Sequence, residues 1–235
     1  MCILEKILEY IFLPKCGICE KLGEGYLCKD CLEELKKYAI IEKKILYNSS
    51  NILNKFEKIE NNLEKVEIIS KIEKMHIFRY EEKIRNLILQ YKFNDKAYLY
   101  KTFCEFIVKN KKVFDFIKKY DIIIPVPIHK KRLKTRGYNQ SELIAKELTK
   151  RTKLIFLKDV LVKKINNNAQ STLNKKEREE NAKNVYKLIN SEKIKNKDVL
   201  IFDDIYTTGA TINSCIKELE NVGVKNIGIL TLAKD

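Results

Sequence analysis

From residue 76 to residue 235, short apolar runs alternate with stretches whose apolar positions recur every three or four residues. The alternation predicts a strand at His76–Tyr80, a helix through IRNLILQY and another through LYKTFCEFIVKN. A strand at Asp121–Val126 follows, then a basic loop, a helix around Ser141–Lys150 and apolar residues from Leu154 to Val162. After a polar stretch come a strand at Val199–Phe202, a helix at Thr211–Val222, with Gly223 placed to cap it, and a strand at Asn226–Leu232. Strands and helices alternating at this spacing predict an α/β fold, a parallel sheet flanked by helices. Residues 41–75 are polar, rich in Asn, Lys and Glu, and free of Gly and Pro, with helical spacing in KFEKIENNLEKVEIISKIEK. They read as a charged helical connection between an N-terminal module, residues 1–40, and the main domain, residues 76–235. At the start of the chain, Ile3, Leu4, Ile7, Leu8, Ile11 and Phe12 share one face of a short helix ending at Pro14.

The chain has 235 residues, 45% of them hydrophobic, enough to bury a sizeable core and to exclude wholesale disorder. No apolar run approaches the roughly 18–20 residues of a membrane span, so no membrane insertion is expected. Glu5, Lys6 and Glu9 interrupt the N-terminal apolar stretch, and no small-residue cleavage site follows, which argues against a secretion signal. A cytoplasmic, reducing location is therefore expected. The net charge of +15 favours anionic partners. Arg79, Arg85, Arg132, Arg136, Arg151 and Arg178 are the only arginines, so lysine supplies most of the positive charge. A lysine excess of this kind reflects AT-rich codon usage as readily as a nucleic-acid surface. The arginines carry more information, because each offers a planar fork suited to phosphate.

Cys16, Cys19, Cys28 and Cys31 form two C-x2-C pairs separated by eight residues. Each pair can turn two thiolates toward one ion, and four thiolates complete a closed tetrahedral shell, so one structural zinc per chain is expected here. Cys2, Cys104 and Cys215 stand alone in apolar helical contexts and read as buried residues.

The most specific segment is VLIFDDIYTTGAT at 199–211. An apolar run ends in Asp203 and Asp204, and Tyr206, Thr207, Thr208, Gly209, Ala210 and Thr211 lead into a helix. At the carboxyl edge of a parallel sheet such a turn makes an anion nest: backbone N–H groups and hydroxyls hold a phosphate, and Gly209 allows close approach. The adjacent carboxylates suit vicinal hydroxyls or a metal-bound sugar. A second strand–loop–helix, at 121–148, carries Lys130, Lys131, Arg132, Lys134 and Arg136 within seven residues, and Gly137 frees the turn after them. Asn139 or Ser141 can cap the helix that follows. If the two strands are neighbours, both loops leave the same edge, where a diphosphate would need neutralisation.

The 199–211 segment resembles the 5-phosphoribosyl-1-diphosphate (PRPP) signature of type I phosphoribosyltransferases. PVP…R…RGYNQ at 125–140 narrows the resemblance to the ComF family, ComFC- and GntX-like proteins associated with DNA uptake in competent bacteria. Its members join an N-terminal zinc ribbon to a type I phosphoribosyltransferase-like domain. The resemblance implies that Asp203 and Asp204 hold the ribose hydroxyls as the catalytic pair and that Tyr206–Thr211 hold the 5′-phosphate. It further implies that Pro127, Ile128, Arg132, Arg136 and Gly137 form the diphosphate loop. NNNAQSTLNKKEREENAKNVY at 166–186 resembles the family's flexible loop, with Gln170, Arg178 and Asn181 at the matching positions, and YKF at 91–93 matches a family Lys-Phe position. Some members carry further paired cysteines before the transferase domain, and residues 41–75 have none.

The implied function is PRPP binding, with Mg²⁺ accompanying the ligand, in the uptake or processing of transforming DNA. Two alternatives stay open. One is an active phosphoribosyltransferase moving ribose 5-phosphate to an unidentified nitrogen acceptor. The other is an adaptor that binds single-stranded DNA or a partner such as a competence helicase or recombination protein.

Overall fold

The computed structural model describes residues 13–47, 71–93, 96–164 and 185–235. The expected N-terminal helix, Cys2, and Gln170, Arg178 and Asn181 lie outside them. The main sheet is built from β1 (Ala39–Tyr47), β2 (Lys71–Arg79), β3 (Ile122–Pro125), β4 (Ile155–Phe156), β7 (Asp198–Tyr206) and β8 (Asn226–Lys234), in the order β1-β2-β8-β7-β3-β4. Only β1 runs antiparallel to its neighbour. A separate antiparallel pair, β5 (Leu161–Lys163) and β6 (Tyr186–Leu188), stands beside the sheet.

The central strands are rich in Ile, Val and Leu because both faces of the sheet are covered. Ile122–Pro125 is buried throughout, and so are seven consecutive residues of β8. One face packs against α2 (Glu82–Phe93), α3 (Leu99–Lys109), α4 (Lys111–Ile117) and α6 (Gln140–Thr149) through Ile88, Tyr91, Phe103, Phe106, Phe116 and Ile144. The other face packs against α7 (Ala210–Glu220), with Val160, Leu161 and Tyr186 of the small hairpin. Among the described residues no helix is long and apolar enough to cross a membrane.

The cysteine module, whose helix α1 spans Lys29–Lys36, is seated on α3. The Tyr26 N–H donates to Glu105 at 2.9 Å, the Thr102 hydroxyl to the Tyr26 carbonyl at 3.0 Å, and the Lys109 ammonium to the Leu27 carbonyl at 3.2 Å. Cys16, Cys28 and Cys31 are part of the core on that face.

Two expectations need correction. Helical spacing in 41–75 gives way at both ends, since 41–47 belongs to β1 and 71–75 to β2. The pairing of Lys71–Arg79 with β8 on one side and β1 on the other satisfies a full row of backbone groups on each edge, and this tertiary gain overrides a local helical pattern. The stretch 48–70 lies outside the described residues. The basic loop after β3 is a helix, α5 (Lys130–Arg136). His129 Nδ1 caps it by accepting from the Lys131 N–H, and Gly137 closes it in the left-handed conformation, φ 82°. Lysine and arginine are good helix formers, and the positive last turn suits the helix dipole.

Candidate functional site

β3 and β7 are hydrogen-bonded parallel neighbours, with Pro125 opposite Phe202. The segments that leave their carboxyl ends therefore emerge on one edge of the sheet, and the Val126 N–H donates to the Phe202 carbonyl at 2.9 Å just where they part. The segment from Val126 to Gly137 follows β3 here, and the segment from Asp203 to Thr211 ends β7 and leads into the next helix.

Asp203 and Asp204 end the buried stretch of β7. Asp203 Oδ1 accepts from the Ser141 hydroxyl at 3.1 Å and from the Asp204 N–H at 2.9 Å. Ser141 opens α6. The helix is capped by Asn139, whose Oδ1 accepts from the Ser141 N–H at 3.1 Å and whose amide donates to the Val126 carbonyl at 3.0 Å. With Asn139 as the cap, the Ser141 hydroxyl is free to serve the acid, so one loop positions a carboxylate on the other. Burial pushes the Asp203 carboxyl up to about 7, and the adjacent Asp204 charge adds to this. Asp204 Oδ2 pairs with the Lys92 ammonium at 2.8 Å.

Beyond the acids, Gly209 adopts φ 80° and opens α7, and the Ala210 N–H donates to the Thr208 hydroxyl at 3.4 Å. A Cβ on Gly209 would lie 2.4 Å from the Tyr206 hydroxyl, so the turn closes tightly over that ring. The Tyr206 ring packs tilted against His76, centroids 4.7 Å apart and planes at 49°, and His76 Nδ1 is 2.8 Å from the Thr231 hydroxyl. The side chain of Tyr206 thus underpins the turn, while Thr207, Thr208 and Ala210 stay exposed. Burial, with Lys234 adding, pulls the His76 imidazole down to about 4, which keeps it neutral beneath the turn.

On the opposite side, half-buried Pro127 and Ile128 line a cleft of about 210 Å³ with Leu133, Leu161, Val162 and Lys163. Burial lowers the Lys163 ammonium, as does the charge of Arg132, while Asp203 opposes the shift. Arg132 is exposed. Arg136 turns inward: its guanidinium bonds Gln140 Oε1 at 2.5 Å and sits 4.9 Å from the centre of the Phe93 ring. Gly137 caps α5 at the surface.

Three side chains of the opening escaped the sequence reading in this role. Ser141 reads as a cap, Lys92 only as the centre of YKF, and Lys163 carries no role, lying just beyond the apolar stretch Leu154–Val162. None of them carries a local pattern that marks its partner.

Cys16, Cys19, Cys28 and Cys31 place all four Sγ atoms within 4.8 Å of one another, with Cys19 and Cys28 at 3.6 Å. Zn–S bonds of about 2.3 Å in a tetrahedron require sulfurs about 3.8 Å apart, so the cluster can bind a metal such as zinc. Burial alone would raise the Cys16 thiol, but the N–H groups of Cys19, Cys28 and Ile18 outweigh it and bring the thiol to about 7.

The model of the phosphoribosyl transferase domain family matches residues 133–235. Competence protein F of Haemophilus influenzae is 28% identical over 224 residues, 93% of this chain and 90% of that protein. Competence protein ComFC of Streptococcus pneumoniae is 32% identical over 67% of this chain and 66% of its own. Among solved structures, the allosteric regulatory enzyme of purine biosynthesis aligns at 13% identity and TM-score 0.40, over 61% of this chain and 29% of that one. A hypoxanthine phosphoribosyltransferase from Staphylococcus aureus aligns at 18% identity and TM-score 0.31, over 76% and 71%. Since the match to the Haemophilus protein extends beyond the transferase domain into the cysteine module, the chain belongs to the ComF family.

Proposed function

We propose that the protein binds Mg²⁺·PRPP at the carboxyl edge of its parallel sheet and acts in bacterial competence, in the uptake or processing of transforming DNA. One observation carries this reading: two adjacent parallel strands deliver an acid pair with a phosphate turn and a basic segment to one opening, joined by the Ser141–Asp203 hydrogen bond. In this reading Asp203 and Asp204 accept from the vicinal hydroxyls of the pentose. The N–H groups and hydroxyls of Thr207–Thr211 take the 5′-phosphate. The backbone at Pro127 and Ile128, with Arg132, faces the diphosphate, and Gln170, Arg178 and Asn181 are assigned to the loop that covers it. The accompanying Mg²⁺ would screen the charge of the diphosphate. The four-cysteine cluster takes one structural zinc, and with four protein ligands that ion has no open position for chemistry. The competence assignment draws on the names of the Haemophilus and Streptococcus relatives.

Turnover is the second reading, favoured by the cleft beside Pro127 and Ile128, which has room for an acceptor ring next to the diphosphate segment. Positioning and charge stabilisation suffice for such a transfer, without a protein nucleophile. Release of diphosphate on adding candidate nitrogen acceptors separates a transferase from a PRPP-binding protein.

Calorimetry with Mg²⁺ and PRPP tests the site. Wild type should bind saturably, and Asp204→Asn should lose about 100-fold in affinity, the worth of a charged hydrogen-bond pair to a sugar diol. No heat with wild type overturns the reading. Metal analysis should return about one zinc per chain, the content of a closed four-thiolate site, and Cys31→Ser should lower both that content and the melting temperature.

A further inference from the structure

Lys92 occupies the last turn of α2, on a different element from either loop of the opening. Its ammonium meets Asp204 Oδ2 at 2.8 Å, and the two side chains keep only 16% and 13% of their exposure. A lysine in the final turn of a surface helix ordinarily extends into water, where an ion pair contributes little. This one is drawn under the sheet edge, where screening is weak and removal of one partner leaves a costly uncompensated charge.

Its location is fixed from three directions. The hydroxyl of Tyr91 donates to the Gln140 carbonyl at 2.8 Å, the hydroxyl of Tyr138 donates back to the Tyr91 carbonyl, and the Arg136 guanidinium covers the Phe93 ring. The turn Tyr91-Lys92-Phe93 is thereby sewn to Arg136, Tyr138 and Gln140, the segment that follows the proposed diphosphate-binding residues. Two adjacent carboxylates facing a ligand with three phosphoryl groups would repel it, and a cation held against one of them relieves the conflict without occupying the ligand's place.

We propose that Lys92 is a positioning residue for the pentose end of this site: it fixes the Asp204 carboxylate and offsets its charge, so that the acid pair can accept a polyanionic sugar phosphate. The proposal rests on the PRPP reading and adds a residue that neither loop contains.

The test is calorimetry on the full chain with two probes, Mg²⁺·PRPP and Mg²⁺·diphosphate, in wild type, Lys92→Met and Lys92→Arg. Lys92→Met should weaken PRPP about tenfold, because one partner of a shielded pair is lost. It should leave diphosphate, which has no pentose to present to Asp204, within about twofold of wild type, well inside one decade of affinity. Lys92→Arg keeps the charge and should recover most of the PRPP affinity. A general distortion of the site would weaken both probes together. Unchanged PRPP binding in Lys92→Met, equal loss of both probes, or no recovery in Lys92→Arg overturns the inference while the PRPP reading stands. Absence of PRPP binding in wild type overturns both, and is told apart by the control.

Discussion

The sheet carries an acid near each of its ends, Glu73 buried and Asp203 half-buried, and the two are treated in opposite ways. Toward the amino ends of the parallel strands, Glu73 on β2 is closed in by Lys71 at 2.8 Å, Lys43 at 2.9 Å and Lys119 at 3.5 Å, with the Tyr120 hydroxyl donating at 3.5 Å. Tyr120 lies flat over β8 because Gly228 has no side chain; a Cβ there would be 2.2 Å from the ring. Burial would raise the Glu73 carboxyl, but Lys71 and Lys43 outweigh it and bring it down to about 2. At the carboxyl ends, Asp203 is pushed up to about 7 by burial and by its neighbour Asp204. The first acid is neutralised by three lysines, although its Oε1 meets Lys43 and Lys71 as ion pairs without an aligned hydrogen bond. The second sits beside a like charge, with one hydroxyl on it and one lysine on its neighbour. An ionic cluster that is complete holds a fold together, and one left in electrostatic debt is ready for a ligand.

The sharpest way to break this contrast is to cross the two ends. Glu73→Gln should leave Mg²⁺·PRPP affinity within about twofold of wild type, whereas Asp204→Asn loses about 100-fold. If Glu73→Gln weakens PRPP as strongly, the two ends are not separate devices. A smaller effect is expected on stability. Glu73→Gln should cost about 1–3 kcal/mol, the worth of a charged hydrogen-bonded cluster, measured by urea unfolding.

The subtlest difference lies in pH dependence. The ordinary value for Asp203 is 3.8 and its folded value about 7, so the folded protein holds an extra proton between them. Stability should therefore fall as pH rises from about 4 to 7, and Asp203→Asn should flatten that limb. Glu73 runs the other way. Its ordinary value is 4.5 and its folded value about 2, so its contribution is present above 4.5 and disappears as pH falls toward 2. Melting temperatures across this range should show two limbs of opposite slope, each removed by its own variant. A single slope common to both variants would contradict the assignment.

Much of the opening was legible in the sequence because its parts are contiguous. Asp203 to Thr211 lie within one strand–turn–helix, where each residue's placement follows from its neighbours, and the cysteine pairs are short enough to read by spacing. Lys92, Ser141 and Lys163 were not legible in their present role. They come from three separate elements; Lys92 and Ser141 reach the acids because β3 and β7 are paired and α2 and α6 pack on one face, while Lys163 lies on the separate hairpin. The charge of KKRLKTR gives it the pattern of a solvated loop, although lysine and arginine favour helix and His129 and Gly137 supply both caps. The ends of 41–75 were read as helix because a strand at the edge of a sheet shows its pattern only once its partner is known.

By itself the amino-acid sequence determined the alternation of strands and helices, the four-cysteine cluster and the glycine turn after the acid pair, all of which depend on residues close along the chain. Tertiary structure alone decided which cation meets which carboxylate and which acid is closed or open. Those pairings bridge residues as far apart as Lys92 and Asp204, and nothing local encodes a distance across a packed sheet.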